Sequence, residues 1–103
     1  MAQAEYIVSD LPDSPLKASA CFYGDHLQSA LAARGAEDLL VILPSARHEH
    51  TDWRQALARD LARECAPARA NVIAAGDEAQ KDELCRYLAG ASGVTGQYCQ
   101  TND

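Results

Sequence analysis

Asp38-Leu39-Leu40-Val41-Ile42-Leu43-Pro44 is the stretch on which the fold turns. Its apolar residues are consecutive rather than alternating, the pattern of a parallel strand covered on both faces. The uninterrupted run, residues 39–43, is far too short for the ~20 residues that cross a bilayer. The reading is a buried central strand, and a buried parallel strand needs helices on its faces and parallel neighbours beside it.

Those neighbours are found by working outward. Upstream, Glu5-Tyr6-Ile7-Val8-Ser9-Asp10-Leu11 reads as a first strand ended by Pro12 and Asp13. Ser14 then serves as an N-cap with Pro15 at the first helical position, and Leu16, Ala20, Tyr23, Leu27 and Leu31 recur at helical steps until Gly35 stops the helix. Phe22 and Tyr23 point in adjacent directions, so this helix is expected to face both the core and a partner.

Downstream, a polar loop over residues 45–50 leads to Thr51 as the cap of a second helix. Its stripe is Trp53, Leu57, Leu61 and Cys65, Pro67 ends it, and Ala58 with Ala62 forms a small-residue face suited to close helix contact. Ala70-Asn71-Val72-Ile73-Ala74-Ala75-Gly76 is a third strand. Asp77 and Gln80 resemble a capping box for a third helix carrying Leu84, Cys85 and Leu88 inward until Gly90 and Gly93. The alternating run Val94-Thr95-Gly96-Gln97-Tyr98-Cys99-Gln100 suits a half-exposed edge strand.

The order β-α-β-α-β-α-β predicts one α/β domain over residues 1–103, with a four-stranded parallel sheet and right-handed crossovers. Periodicity leaves open whether the helices cover one face or both, giving two layers or three.

Composition narrows the function. With 9 basic and 15 acidic residues the formal charge is −6, and no Lys/Arg cluster is present, which argues against nucleic-acid phosphates as partner. Residues 1–5 show neither a basic nor a hydrophobic leader region, so no membrane partner is expected and the chain reads as cytoplasmic. Cys21, Cys65, Cys85 and Cys99 are 44, 20 and 14 residues apart and form no C-x-x-C, so structural thiols are expected. His48-Glu49-His50-Thr51-Asp52 gathers titratable groups. The i, i+2 spacing of His48 and His50 nevertheless suits a solvated loop better than a metal, and no metal is assigned. His26, beside Asp25, reads as a surface or boundary residue.

The segment Ala56-Leu57-Ala58-Arg59-Asp60-Leu61-Ala62-Arg63-Glu64, continuing through Arg69-Ala70-Asn71-Val72-Ile73-Ala74-Ala75-Gly76, resembles the C-terminal half of the short-chain dehydrogenase/reductase family. There an "LA-x-E" helix leads into an "R-V-N-x-I-x-P-G" strand. Tyr87-Leu88-Ala89 followed by Val94-Thr95-Gly96-Gln97 is similar to that family's "fLaS…vTGq" ending. The resemblance implies a truncated Rossmann-like domain. It lacks the glycine-rich turn that seats a dinucleotide pyrophosphate, so no cofactor is expected. It also places Arg47 and Thr51 where the family carries its Tyr-x-x-x-Lys pair, and neither can do that work. Ser45 falls at the position of the catalytic serine, a weak candidate without its partners.

The resulting expectation is a non-catalytic domain that forms a homodimer or binds a protein partner. In the family the helices matching residues 15–33 and 51–66 build a four-helix interface, so Phe22, Tyr23, Trp53, Ala58 and Ala62 are the expected contact residues. The alternative is a small-molecule binder or minor enzyme at the strand ends near Asp10, Ser45, Asp77 and Asn71, with Ser45 paired to His48 or His50.

Overall fold

The computed structural model describes residues 3–101; of the stretch read for a leader, Met1 and Ala2 lie outside them. The apolar run becomes β2 (Asp38–Leu43), buried along its whole length. Side chains alternate across a strand, so Leu39, Val41 and Leu43 enter one core while Leu40 and Ile42 enter another. β3 (Ala70–Ala74) is buried throughout in the same way. β1 (Gln3–Ile7) and β4 (Tyr98–Gln100) flank them in the order β1-β2-β3-β4, all parallel.

Both faces of the sheet are covered, which makes three layers. One face carries α1 (Pro15–Cys21), a π-helical turn at Phe22–His26, α2 (Leu27–Arg34) and α3 (Thr51–Cys65). The other carries α4 (Glu78–Gly90), whose Leu88 packs on Leu40, Ile42 and Ile73. Each such fully buried side chain contributes about 1.5–3 kcal/mol. No helix among the described residues is long and apolar enough to cross a membrane.

The chain steps across the sheet in one direction while α2 and α3 lie on one face and α4 on the other. The third crossover therefore has the opposite hand to the first two, which corrects the expectation of uniformly right-handed connections. Its return segment, residues 91–97, is held by side chains. Asn71 donates to the Val94 carbonyl and accepts from Gln97 N, both at 3.0 Å, and Ala70 N donates to Thr95 Oγ1 at 3.0 Å.

The first helix departs most from its predicted face. Leu16 is 81% exposed, Ala20 is exposed, and the buried positions are Ala18, Phe22 and Ala30, with Leu27 and Leu31 half-buried beside them. The π-helical turn is the cause. At ~100° per residue Ala30 would sit about 120° from Ala18, and the one extra residue of the wide turn brings it back to about 20°.

Elsewhere the local signals act as expected or nearly so. Ser14 Oγ accepts from Lys17 N at 3.3 Å, and Asp77 Oδ1 accepts from Gln80 N at 2.8 Å. Gly35 takes φ +56°, a left-handed conformation that favours glycine. Thr51 does not cap α3: the cap position belongs to His50, at the end of a 3₁₀ turn, His48–His50. β1 stops at Ile7 and only Val8 N continues the ladder, to Ile42 O at 2.9 Å, so Asp10 and Leu11 lie in a loop. β4 is three residues long rather than the seven of the alternating run.

Candidate functional site

The β1–α1 and β2–α3 loops leave the carboxyl ends of adjacent parallel strands, where open α/β sheets place their ligand sites. Between them lies a cleft of about 430 Å³ whose walls include Asp10, Asp13, Pro44, Ser45, His50 and Arg54.

His50 is buried at 5% exposure, not part of a solvated loop. Trp53 Nε1 donates to its Nδ1 at 3.1 Å, which assigns the ring proton to Nε2, and Nε2 donates to the Asp13 carbonyl at 2.8 Å. Both ring nitrogens are occupied within the chain, so His50 has no lone pair for a metal or for Ser45. His48 is exposed, and no group of three metal-ligating side chains forms among the described residues. Ser45 sits at the cleft and its Oγ donates to the Ala75 carbonyl at 3.0 Å rather than to either histidine, so the imagined nucleophile pair does not form. Arg47, at the family's tyrosine position, is exposed and paired with Glu49 at 2.9 Å.

The residue that the sequence reading misses is Arg54. The residue is 1% exposed, with NH1 donating to the Pro44 carbonyl at 2.8 Å and to Tyr98 Oη at 3.2 Å. It lies 5.4 Å from the Trp53 ring centroid and 5.8 Å from that of Tyr98. Its Nε is buried with no hydrogen-bond partner among the described residues. Tyr98 Oη donates to Gln100 Oε1 at 2.7 Å, and Gln100 Nε2 donates to the Ala46 carbonyl at 2.9 Å, so β4 braces the cleft wall. A signal was present in the sequence: Arg54, Ala58, Leu61 and Cys65 follow an i, i+4, i+7, i+11 pattern, the inward face of a helix.

Two residues of the family motif are structural. Arg69 binds Asp38 with Nε–Oδ2 3.0 Å and NH2–Oδ2 2.8 Å, and donates to the Leu88, Ala89 and Ala91 carbonyls. Asn71 ties down residues 94–97 at the far end of β3, away from the cleft, which removes it from the ligand-site expectation. Asp77 spends its carboxylate on capping α4. His26 has partners after all: Tyr6 Oη at 3.0 Å from its Nδ1, and the Phe22 ring stacked on it.

The thiols are poor nucleophiles. Burial raises all four, Cys85 to about 11 with Glu5 adding to the effect, while Asp25 also raises Cys21.

Of the expected contact residues, Phe22 and Ala58 are fully buried within the chain, and Ala62 packs beside Gly96, where a Cβ would stand 3.4 Å from its own. Phe22 and Ala58 are therefore corrected from surface to interior packing, while Ala62 is half-buried and makes an internal contact with Gly96. Trp53 is half-buried against the core. Tyr23 remains on the surface at 38% exposure, beside an apolar groove of about 130 Å³ between α2 and α3 that Leu27, Leu31, Leu57 and Leu61 line, with Asp60 and Glu64 on its border.

Comparison with curated proteins and with solved structures gave no match. Comparison with models of protein families matches residues 6–101 to the family described as SDR-like, short chain dehydrogenase-like protein. The motifs, the four-stranded parallel sheet and a match spanning almost the whole chain agree, and the protein belongs to the short chain dehydrogenase-like family.

Proposed function

We propose that this chain is a non-catalytic short-chain-dehydrogenase-like domain that works by associating with a second copy of itself across the α2–α3 face. One observation carries the reading: between α2 and α3 runs an apolar groove, with half-buried Leu27 and Leu31 at its rim, buried Leu57 and Leu61 as its floor and the exposed Tyr23 beside it. Such a groove offers an apolar seat for an aromatic side chain of a second copy, such as its Tyr23. The family resemblance assigns this same pair of helices to the subunit interface. Asp60 and Glu64 border the groove, and Arg63 pairs with Asp60 within the same helix, so a two-fold packing of α3 on α3 brings up little unpaired like charge beyond Glu64. The residues at the family's proton-transfer positions, Arg47 and Thr51, support the non-catalytic half of the reading.

Sedimentation velocity over a range of concentrations tests it. The wild-type chain is expected to show the mass of a dimer. Tyr23→Glu, which sets a carboxylate near Asp60 at the groove, is expected to run as a monomer with an unchanged circular dichroism spectrum. A single-chain mass for the wild type throughout would overturn the reading.

A further inference from the structure

The four ion pairs among the described residues are Arg47–Glu49, Arg63–Asp60, Arg69–Asp38 and Lys81–Glu78, and none includes Arg54. An arginine stays protonated in proteins, so among the described residues Arg54 is a buried cation without a counter-ion. Its side-chain hydrogen bonds to the described residues run from NH1 alone. Nε is buried with no partner among the described residues, and no hydrogen bond to them runs from NH2, so the planar Nε–NH2 pair of donors, which matches a carboxylate in bidentate geometry, is unspent there. That edge belongs to a side chain lining a cleft of about 430 Å³, room for a molecule of several heavy atoms. Arg69 shows what this fold does with a largely buried arginine when the chain itself is meant to satisfy it: a carboxylate and three carbonyls surround it.

We infer that the cleft binds a small carboxylic acid, with the ligand carboxylate on the Nε–NH2 edge of Arg54. The opposite wall narrows the class further. Asp10 and Asp13 line the same cleft, and neither forms an ion pair with Arg54. Two carboxylates there repel a simple anion and accept from an ammonium or hydroxyl group. The complementary molecule is therefore a small amino or hydroxy acid rather than a phosphate. His50 holds the Asp13 carbonyl, and Tyr98 with Gln100 holds the other wall, so the site is preorganised before a ligand arrives. Binding here needs no association between chains, so the inference stands or falls apart from the dimer.

The test is a titration of the full chain, labelled with ¹⁵N, followed at the Arg54 Nε–H resonance by NMR, with 3-aminopropanoate and acetate as probes and sodium chloride at matched ionic strength. Both acids are expected to shift that resonance saturably, 3-aminopropanoate at several-fold lower concentration. Arg54→Lys, which keeps the charge and loses the forked edge, is expected to weaken binding at least tenfold, read from the backbone amides of residues 45 and 46. If Arg54→Lys does not fold, Asp13→Asn, which leaves the arginine in place, is expected to bring 3-aminopropanoate down to the affinity of acetate. An unmoved Nε–H signal with both acids, or the same shift with chloride, would sink the proposal. Acetate binding as tightly as 3-aminopropanoate to the wild type would refute the role given to the two aspartates.

Discussion

Arg69 and Arg54 sit at opposite ends of the sheet, and their partners set what each does for the molecule. Asp38 and Arg69 are largely shielded from water, and the pair joins the start of β2 to the start of β3. Burial by itself would raise the Asp38 pKa, but the backbone and side-chain hydrogen bonds from Arg69, together with its charge, more than offset this and hold it below the usual value of 3.8. A carboxylate whose pKa is lowered on folding contributes stability that is complete above its unfolded pKa, near 4, and that fades as pH falls through the lower folded value. Asp38→Asn leaves Arg69 buried without its counter-charge, for which about 3–5 kcal/mol is the expected loss at neutral pH. Urea denaturation should show that full gap at neutral pH, with the gap narrowing as pH drops below about 4 while Asp38 becomes protonated. A gap that stays constant into acid would show that the pair is not what stabilises this end of the sheet.

At the scale of elements, the π-helical turn and the return loop to β4 behave oppositely toward an added methyl. Gly24 lies within the turn at Phe22–His26, and a Cβ there meets nothing within 4 Å. Gly24→Ala should therefore stabilise by about 0.5–1 kcal/mol, by reducing the freedom of the unfolded chain. Gly96 has φ +74°, and a Cβ there would stand 3.4 Å from Ala62 Cβ and 3.9 Å from the Arg59 backbone, so Gly96→Ala should destabilise by about 1–2 kcal/mol. Thermal melts of the two variants should move in opposite directions, and a shift of both in the same direction would contradict this account. The same pair explains what is legible in the sequence and what is not. β2 and β3 are legible because a run of consecutive apolar residues bounded by turn signals has few other solutions in a domain this size. The caps at Ser14 and Asp77 are legible because capping is local chemistry. The inward face of the first helix is not, since a wide turn shifts the period without any marker other than a mid-helix glycine. At the cleft, Ser45 can be placed from its position after a strand, whereas Arg54 follows the inward helical pattern but carries a charge that reads as solvated.

The molecule as a whole carries a formal charge of −6, and this sets the conditions under which the proposed association of two copies would take place. Like-charged chains repel at long range, and salt screens that repulsion over a Debye length of about 8 Å at physiological ionic strength, while the apolar contact across the groove is not weakened by it. Association should accordingly strengthen as salt is raised, the reverse of an interface held by surface ion pairs. Anything that binds the folded chain raises its apparent stability by mass action, and for a dimer the bound species is the chain itself. Tenfold dilution removes about 1.4 kcal/mol per dimer, about half of that per chain, and in a domain of this size 1 kcal/mol corresponds to about 4–8 °C in Tm. The wild-type melting temperature should then fall by a few degrees for each tenfold dilution and by less at high salt, whereas that of Tyr23→Glu should not depend on concentration. Differential scanning fluorimetry over a broad dilution series reads both. A wild-type melting temperature that does not change with dilution would mean that the groove between α2 and α3 faces solvent, and the proposed association across it would fail.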